Sequence, residues 1–398
     1  MWWLGFFFHE MAFGLLSVFL PLYVVSIGGS LVDIGLMTAV ALFLSIPADY
    51  FWGYICDKTG QYKRYILISF SSLALILYVF TFTTNVSWII ILYAIMAILH
   101  MAHEPPKNVL ISESFSYEEW KDVYALYQAL AQLGWLIGLV IGFFASIYGF
   151  NAANTLLLCS VLNVVALVTA LIFVKDPILS IERGLLSIKK TVDFAYRGTI
   201  FATNVFNGYL SKESLSEESI PLFCGGLAIF SLASSILFTP LPIFLSHDLA
   251  LSSSLIFVIF TLNAGGSVAG YFASWLRSGQ FDGRSNIWKV AIIRSVLTFS
   301  LIAALEITSQ SVTIVTVILI LLGLAYAFFL VSALSISMEL IPKGRAGLFN
   351  VLVDVGGACG SFIGPFVAQV FGFTYVFIIA GVLFIVAFIA FKAFPRGT

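Results

Sequence analysis

Apolar residues in this chain come in long unbroken runs with brief polar punctuation, not in the strict alternation of a half-buried strand. The runs predict helices over residues 3–27, 34–56, 65–84, 88–112, 123–148 and 152–174, and then over 220–246, 250–276, 287–306, 311–340, 347–371 and 373–393. A hydrocarbon core about 30 Å thick needs about 20 apolar residues per crossing, so each run is long enough to span it. Continuous runs also exclude a transmembrane barrel, whose strands alternate. The fold class is therefore an all-α membrane protein of twelve transmembrane helices. The one long polar stretch, 175–219, divides it into an N-terminal six-helix bundle (1–174), a linker (175–219) and a C-terminal six-helix bundle (220–398).

Composition sharpens this reading. The 398 residues are 61% hydrophobic and 10% charged, whereas about a quarter of a soluble domain is charged, so no large soluble domain is expected. A net charge of -1 gives no bulk attraction to nucleic acid. The four cysteines, Cys56, Cys159, Cys224 and Cys359, sit in or at apolar runs without disulfide or zinc spacing. Met1 to Leu4 lead straight into the first run with no basic segment, so the first helix is read as retained and not as a cleaved signal. With Met1 inside, all 19 Lys and Arg residues map to the inner half and none to an outer loop. Insertion leaves basic residues on the cytoplasmic side, which predicts a multi-pass protein of the cell membrane with both termini cytoplasmic.

The halves echo each other at an offset of roughly 220 residues. Phe19-Leu20-Pro21-Leu22-Tyr23 parallels Pro240-Leu241-Pro242-Ile243-Phe244, and Gly134, Gly138 and Gly142 parallel Gly356, Gly360 and Gly364. Glycines four apart lay a smooth stripe along one helix face, where another backbone can approach. In the linker, Ile178, Ile181, Leu185, Ile188 and Val192 share a helical face, which predicts a segment lying on the inner membrane surface. Residues 211–219 read as a solvated connection.

The loop after the second helix runs Gly53-Tyr54-Ile55-Cys56-Asp57-Lys58-Thr59-Gly60-Gln61-Tyr62-Lys63-Arg64. It resembles the signature loop of the major facilitator superfamily, and with the helix count, the duplication and the inner bridge the resemblance covers the whole chain. It implies two pseudo-symmetric six-helix bundles, alternating access, and a central cavity lined by helices 1, 4, 7 and 10. It also implies a gating latch, in which Asp57 meets the start of helix 11 near Gly347 in the outward-open state. Gly53 is expected to permit close contact with helix 11, Gly60 a tight turn, and Lys58, Lys63 and Arg64 supply the basic residues of the loop. The latch is expected on one side only, because Ser274 stands where the second copy would carry an acid. The family's exporter signature, a glycine–proline pair in helix 5, is absent, since Phe143 follows Gly142.

Ionisable groups in hydrocarbon are costly and are functional candidates by default. His9 and Glu10 in helix 1 and His100, His103 and Glu104 in helix 4 fall at matching depth, and the helix 4 set shares a face with Lys107. Pro105 and Pro106 free the carbonyls of Met101 and Ala102 one turn earlier. Asp49 in helix 2 lies at similar depth, as a second coupling or gating candidate. Asp354 and Gln132 read as gate lining, and Arg294 as a snorkelling residue of an outer helix. In the second half the expected cavity side chains are neutral: Ser234, Ser235, Thr239, Asn263, Tyr326, Ser332 and Ser335.

These features predict a secondary active transporter of a small organic solute, coupled to protons, working as a monomer in the lipid bilayer without a cofactor. No phosphate-binding Gly-x-x-x-x-Gly-Lys is present, so direct ATP drive is not expected. Two alternatives use the same residues or fold: a divalent metal transporter built on the His/Glu cluster of helices 1 and 4, and a non-transporting sensor. An intramembrane metalloenzyme is disfavoured because no His-Glu-x-x-His motif occurs.

Overall fold

In the computed structural model, residues 2–114, 120–176, 220–276, 283–306, 311–340 and 347–394 are described. The surface segment expected at 178–192 and the connection at 211–219 lie outside the described residues. Among the described residues the chain is helical, without strands.

Twelve helices are long and apolar enough to cross a membrane. They are α1 (Trp3–Ser26), α2 (Leu31–Thr59), α3 (Tyr62–Phe80), α4 (Val86–Ile111), α5 (Leu126–Ile147), α6 (Ala152–Phe173), α7 (Leu222–His247), α8 (Ser253–Ser274), α9 (Asn286–Ala303), α10 (Ser311–Ser337), α11 (Val351–Phe371) and α12 (Phe373–Ala393). Every run read from the sequence is one of them. The boundaries differ where caps outrank hydropathy. α2 starts at Leu31 because Ser30 and Asp33 form a capping box, each side chain taking the other's backbone N–H. α2 ends at Gly60, whose φ of 63° suits glycine and whose N–H reaches the Cys56 carbonyl at 2.9 Å.

Two spans are interrupted. α4 runs as an α-helix to His100, tightens into a 3-10 turn over Met101–His103 and resumes at Glu104. Proline at 105 and 106 removes the amides that would close this turn. Ser69 Oγ from α3 reaches the carbonyl of His100 at 3.2 Å, and the Trp52 indole from α2 reaches that of Ile98 at 2.8 Å. The loosened stretch is thus hydrogen-bonded from both sides. α7 breaks after Phe238 and resumes at Leu241, beside Pro240 and Pro242.

The packing repeats between halves. α1 packs on α5 and α6, α3 on α4 and α6, and α2 on α4; correspondingly α7 packs on α11 and α12, α9 on α10 and α12, and α8 on α10. The halves meet through α2 against α11 and α5 against α8, a pair of contacts that exchange under the same relation. The glycine stripes make the tightest joints. A Cβ at Gly138 would collide with the Met11 carbonyl, and one at Gly134 would lie 2.7 Å from that of Phe7, both on α1. A Cβ at Gly356, Gly360 or Gly364 would strike the carbonyls of Ala228, Leu232 or Ile236 on α7. The stripe is a backbone-to-backbone seam between α1 and α5, repeated between α7 and α11. Gly142 departs from this, since it faces the Phe257 ring of α8 across the interface between the halves.

Candidate transport site

Helices α1 and α4 bring together the residues whose depth was matched in the sequence. His9 Nε2 lies 3.1 Å from His100 Nδ1, and the two rings stack at 5.1 Å. On its other side His9 Nδ1 meets Asn163 Oδ1 of α6 at 2.8 Å. His103 Nδ1 is 3.1 Å from Ser69 Oγ, and His103 Nε2 is 3.3 Å from Glu104 Oε1. The second oxygen of Glu104 accepts from Lys107 Nζ, which also lies 5.3 Å from the centre of the Tyr127 ring. The i, i+3 spacing of Glu104 and Lys107 places them on one face.

The chain Asn163–His9–His100, with His103–Glu104–Lys107 beside it, fills the space between α1, α3, α4 and α6. His9 and His103 are buried and His100 partly so. Phe6, Phe13 and Phe70 pack against these rings. The anchors Asn163 and Ser69 escaped the sequence reading. Each sits among apolar neighbours with other small polar residues nearby, and only the α1–α6 and α3–α4 contacts show which ring it meets.

Glu10 turns to the opposite side of α1 from Asn163. Its Cβ is 3.1 Å from where a Cβ on Gly134 would stand, and its charge interacts with Lys107 and Glu104. Asp49 on α2 lies within electrostatic range of Glu104 and Lys107, and Asp354 on α11 within range of Asp49 and Glu104. Glu104 thus lies within electrostatic range of Glu10, Asp49 and Asp354, carboxylates contributed by α1, α2 and α11. Lys107 is the cation in their midst. Neutralising or spacing such a group matters in a medium where opposite and like charges act over several ångströms with little screening.

One nitrogen of each of His9, His100 and His103 lies within 4.8 Å of the others, close enough to converge on a cation such as zinc. The hydrogen bonds already described occupy these rings with each other and with Asn163, Ser69 and Glu104.

In the second half, the expected cavity hydroxyls serve their own helices. Ser234 Oγ bonds the Phe230 carbonyl at 2.9 Å and Ser332 Oγ that of Phe328 at 2.7 Å. Thr239 reaches Ser361 Oγ at 3.3 Å. Ser235 stands beside Gly357, and Ser335 and Gln132 are partly buried. Asn263 donates to the Leu319 carbonyl at 2.6 Å, tying α8 to α10. Tyr326 alone of this set is exposed, and its ring centre lies 5.5 Å from the Arg294 guanidinium. Arg294 does not snorkel. It is wholly buried between α7, α10 and α12, because its position on α9 faces the bundle and not the bilayer surface.

At the inner end of α2, Asp57 and Lys58 are exposed, with Lys58 Nζ 5.9 Å from the Tyr54 ring centre. The Lys63 amide donates to Asp176 Oδ1 at 2.7 Å and its Nζ to the Leu171 carbonyl at 2.7 Å, while Arg64 donates to Gln61 at 3.1 Å. The basic end of the loop is thus fastened to α6. Gly53 differs from expectation. Among the described residues a Cβ there would meet only Pro105 of α4, at 3.9 Å, and no close contact of the glycine with α11 is found. Residues 341–346, which precede the helix containing Gly347, lie outside the described residues.

Twelve spanning helices in two halves of like packing, meeting through α2–α11 and α5–α8, have the two-bundle architecture of a membrane transporter. The family model of the Major Facilitator Superfamily matches residues 2–349 and 223–397, and the chain belongs to that family. It is 27% identical over 392 residues to the multidrug resistance protein MdtG of Proteus mirabilis, covering 94% of this chain and 90% of that protein. Over 180 residues it is 27% identical to the uncharacterized MFS-type transporter YqjV of Bacillus subtilis, covering 44% of this chain and 43% of that protein. Among solved structures, it superposes on a variant of the nucleoside transporter NupG with a TM-score of 0.72 at 14% identity, covering 99% of both chains. A variant of the peptide transporter POT gives 0.71 at 11% identity, covering 98% of this chain and 93% of that one.

Proposed function

We propose that the protein is a proton-coupled secondary transporter of a small organic solute, seated in the cell membrane with both termini cytoplasmic. The observation that carries this reading is the cluster at Glu104, which is paired with His103 and Lys107 and lies within electrostatic range of Glu10, Asp49 and Asp354 on helices of both halves. Relative motion of the halves changes their mutual distances and their access to water. Both changes alter how strongly a carboxylate holds a proton. The histidines beside Glu104 give such a proton further acceptors, since each neutral imidazole ring offers one lone pair.

With four carboxylates and one lysine in range, the site favours organic cargo bearing positive charge. The likeness to MdtG, a multidrug resistance protein by name, fits an organic cargo. The loop from Gly53 to Arg64 serves as the gating latch of the inner side, with Asp57 as its acceptor, and the protein works as a monomer. The histidines also support a second reading, in which the cargo is a divalent metal, since their nitrogens lie within 4.8 Å. Flux in sealed proteoliposomes separates the two. Accumulation of a fluorescent organic cation under an imposed pH gradient supports the first reading, and accumulation of zinc without it supports the second.

A further inference from the structure

Arg294 is the most isolated charge in the described structure. Its side chain is 0% exposed, and none of its three guanidinium nitrogens has a hydrogen-bond partner among the described residues. The guanidinium carbon instead lies 4.9 Å from the ring centre of Phe384, 5.1 Å from Phe230, 5.5 Å from Tyr326 and 5.6 Å from Phe238. These rings come from α12, α7 and α10, so the cation stands at the centre of the second bundle.

The aromatic box meets only half of what the guanidinium requires. Each ring face attracts the cation electrostatically, which offsets part of the charge's desolvation. Rings accept poorly in the guanidinium plane, however, and five N–H donors lie there. A buried donor left without an acceptor is destabilising, and more so when charged. Apolar walls with unmet donors between them are complementary to a small anionic group, which supplies charge and in-plane acceptors together and pairs bidentately when it is a carboxylate.

One wall offers a way in. Tyr326 is 36% exposed although its ring borders the guanidinium, and Asp354 of α11 stands within electrostatic range of it. Turning this one ring would connect Arg294 to the cavity face. The other three rings are Phe230 and Phe384, which are fully buried, and Phe238, which is partly so.

We infer that Arg294 is an anion-binding residue gated by Tyr326, taking a halide or a carboxylate, the latter either free or carried by the cargo. This would give the second bundle a positive pole facing the carboxylates of the first. It does not depend on the coupling proposed above, because its test reads binding without transport.

The experiment is thermal unfolding of the full-length protein in detergent, followed by tryptophan fluorescence at constant ionic strength. Bulky, hydrated gluconate replaces chloride as the reference, and chloride, formate and benzoate are titrated separately. Stabilisation by a ligand follows mass action, so the wild type should show a saturable rise of several degrees. A rise with chloride and formate identifies a site for free anions, and a rise with benzoate alone identifies one for an organic carboxylate. Arg294→Met should give a flat titration and Arg294→Lys a weaker one. Tyr326→Ala, which opens the wall, should keep the response or shift its midpoint several-fold lower. A wild type indifferent to all three anions overturns the inference, whether or not Arg294→Met folds. So does an equal rise in Arg294→Met.

Discussion

His9 of α1 and His100 of α4 share a direct ring-to-ring hydrogen bond of 3.1 Å, which joins the two helices through a pair of titratable groups. Neutral imidazole donates from one nitrogen and accepts at the other. Because Asn163 Oδ1 accepts from His9 Nδ1, His9 Nε2 must accept from His100 Nδ1. Replacing His100 with Gln should break this order without leaving a large void. Uptake driven by a pH gradient is expected to fall at least tenfold, while equilibrium exchange of cargo in the absence of a gradient stays within about twofold. Equal loss of both would show that the pair merely supports the fold.

The latch is tested at Asp57, exposed at the last turn of α2. A carboxylate favours the positive end of a helix by about 0.3–1 kcal/mol at an exposed site, and an amide does not. Asp57→Asn should therefore insert and accumulate normally but lose most transport, with the inner gate resting open to a thiol reagent. Undiminished transport would remove the latch role. Gly53→Ala should be tolerated, since the added Cβ would find only Pro105 at van der Waals distance.

The glycine seam makes a structural prediction with an internal control. Overpacking a tight contact costs about 1–3 kcal/mol when side chains can yield, and at Gly138 and Gly360 the obstacle is backbone. Gly138→Val and Gly360→Val should each lower the apparent Tm by many degrees or abolish accumulation. Gly265→Ala should have little effect, because its Cβ would stand 3.9 Å from Leu136 Cδ1. Similar behaviour of all three variants would argue against the seam.

The spans were legible because hydropathy alone determines which segments cross hydrocarbon, and the break in α4 was legible because Pro105 and Pro106 remove donors at known positions. The depth match of His9 with His100 followed from counting rise per residue. What hydropathy could not show was which way a polar side chain points. Asn163 and Arg294 both interrupt apolar runs, yet one orders a histidine and the other sits in a ring of aromatics. Asn263 looked like a cavity residue for the same reason, whereas its amide spends itself on the Leu319 carbonyl. The rotation of each helix about its axis is set by packing partners from distant parts of the chain, and no local pattern encodes it.

Orientation rests on the one-sided distribution of the 19 basic residues. Tyr148 follows α5 and Gln61 follows α2, at opposite ends of the bundle, and both are exposed. In a variant lacking the four native cysteines, Tyr148→Cys should react with an impermeant thiol reagent added to intact cells. Gln61→Cys should react only after the membrane is opened. The reverse pattern would invert the topology.

Coupling is decided at Glu10 and Glu104. The two differ in their surroundings: Glu104 is held by Lys107 and His103, whereas Glu10 has charge interactions with Lys107 and Glu104 but no hydrogen-bonded cation among the described residues. A carboxylate with a bonded cation keeps its negative charge, and one without is freer to take up a proton when removed from water. Glu10 is therefore the expected proton carrier and Glu104 the group that orders Lys107 and His103. Glu10→Gln mimics a permanently protonated carrier, so it should abolish accumulation driven by a pH gradient while leaving counterflow, which moves no net proton, within about twofold of wild type. Glu104→Gln leaves Lys107 without its partner in a low-dielectric site, and should weaken both activities together. If Glu10→Gln still concentrates cargo against its gradient, Glu10 is not the carrier, and Asp49, which senses the same Glu104 and Lys107 from α2, is the next residue to neutralise.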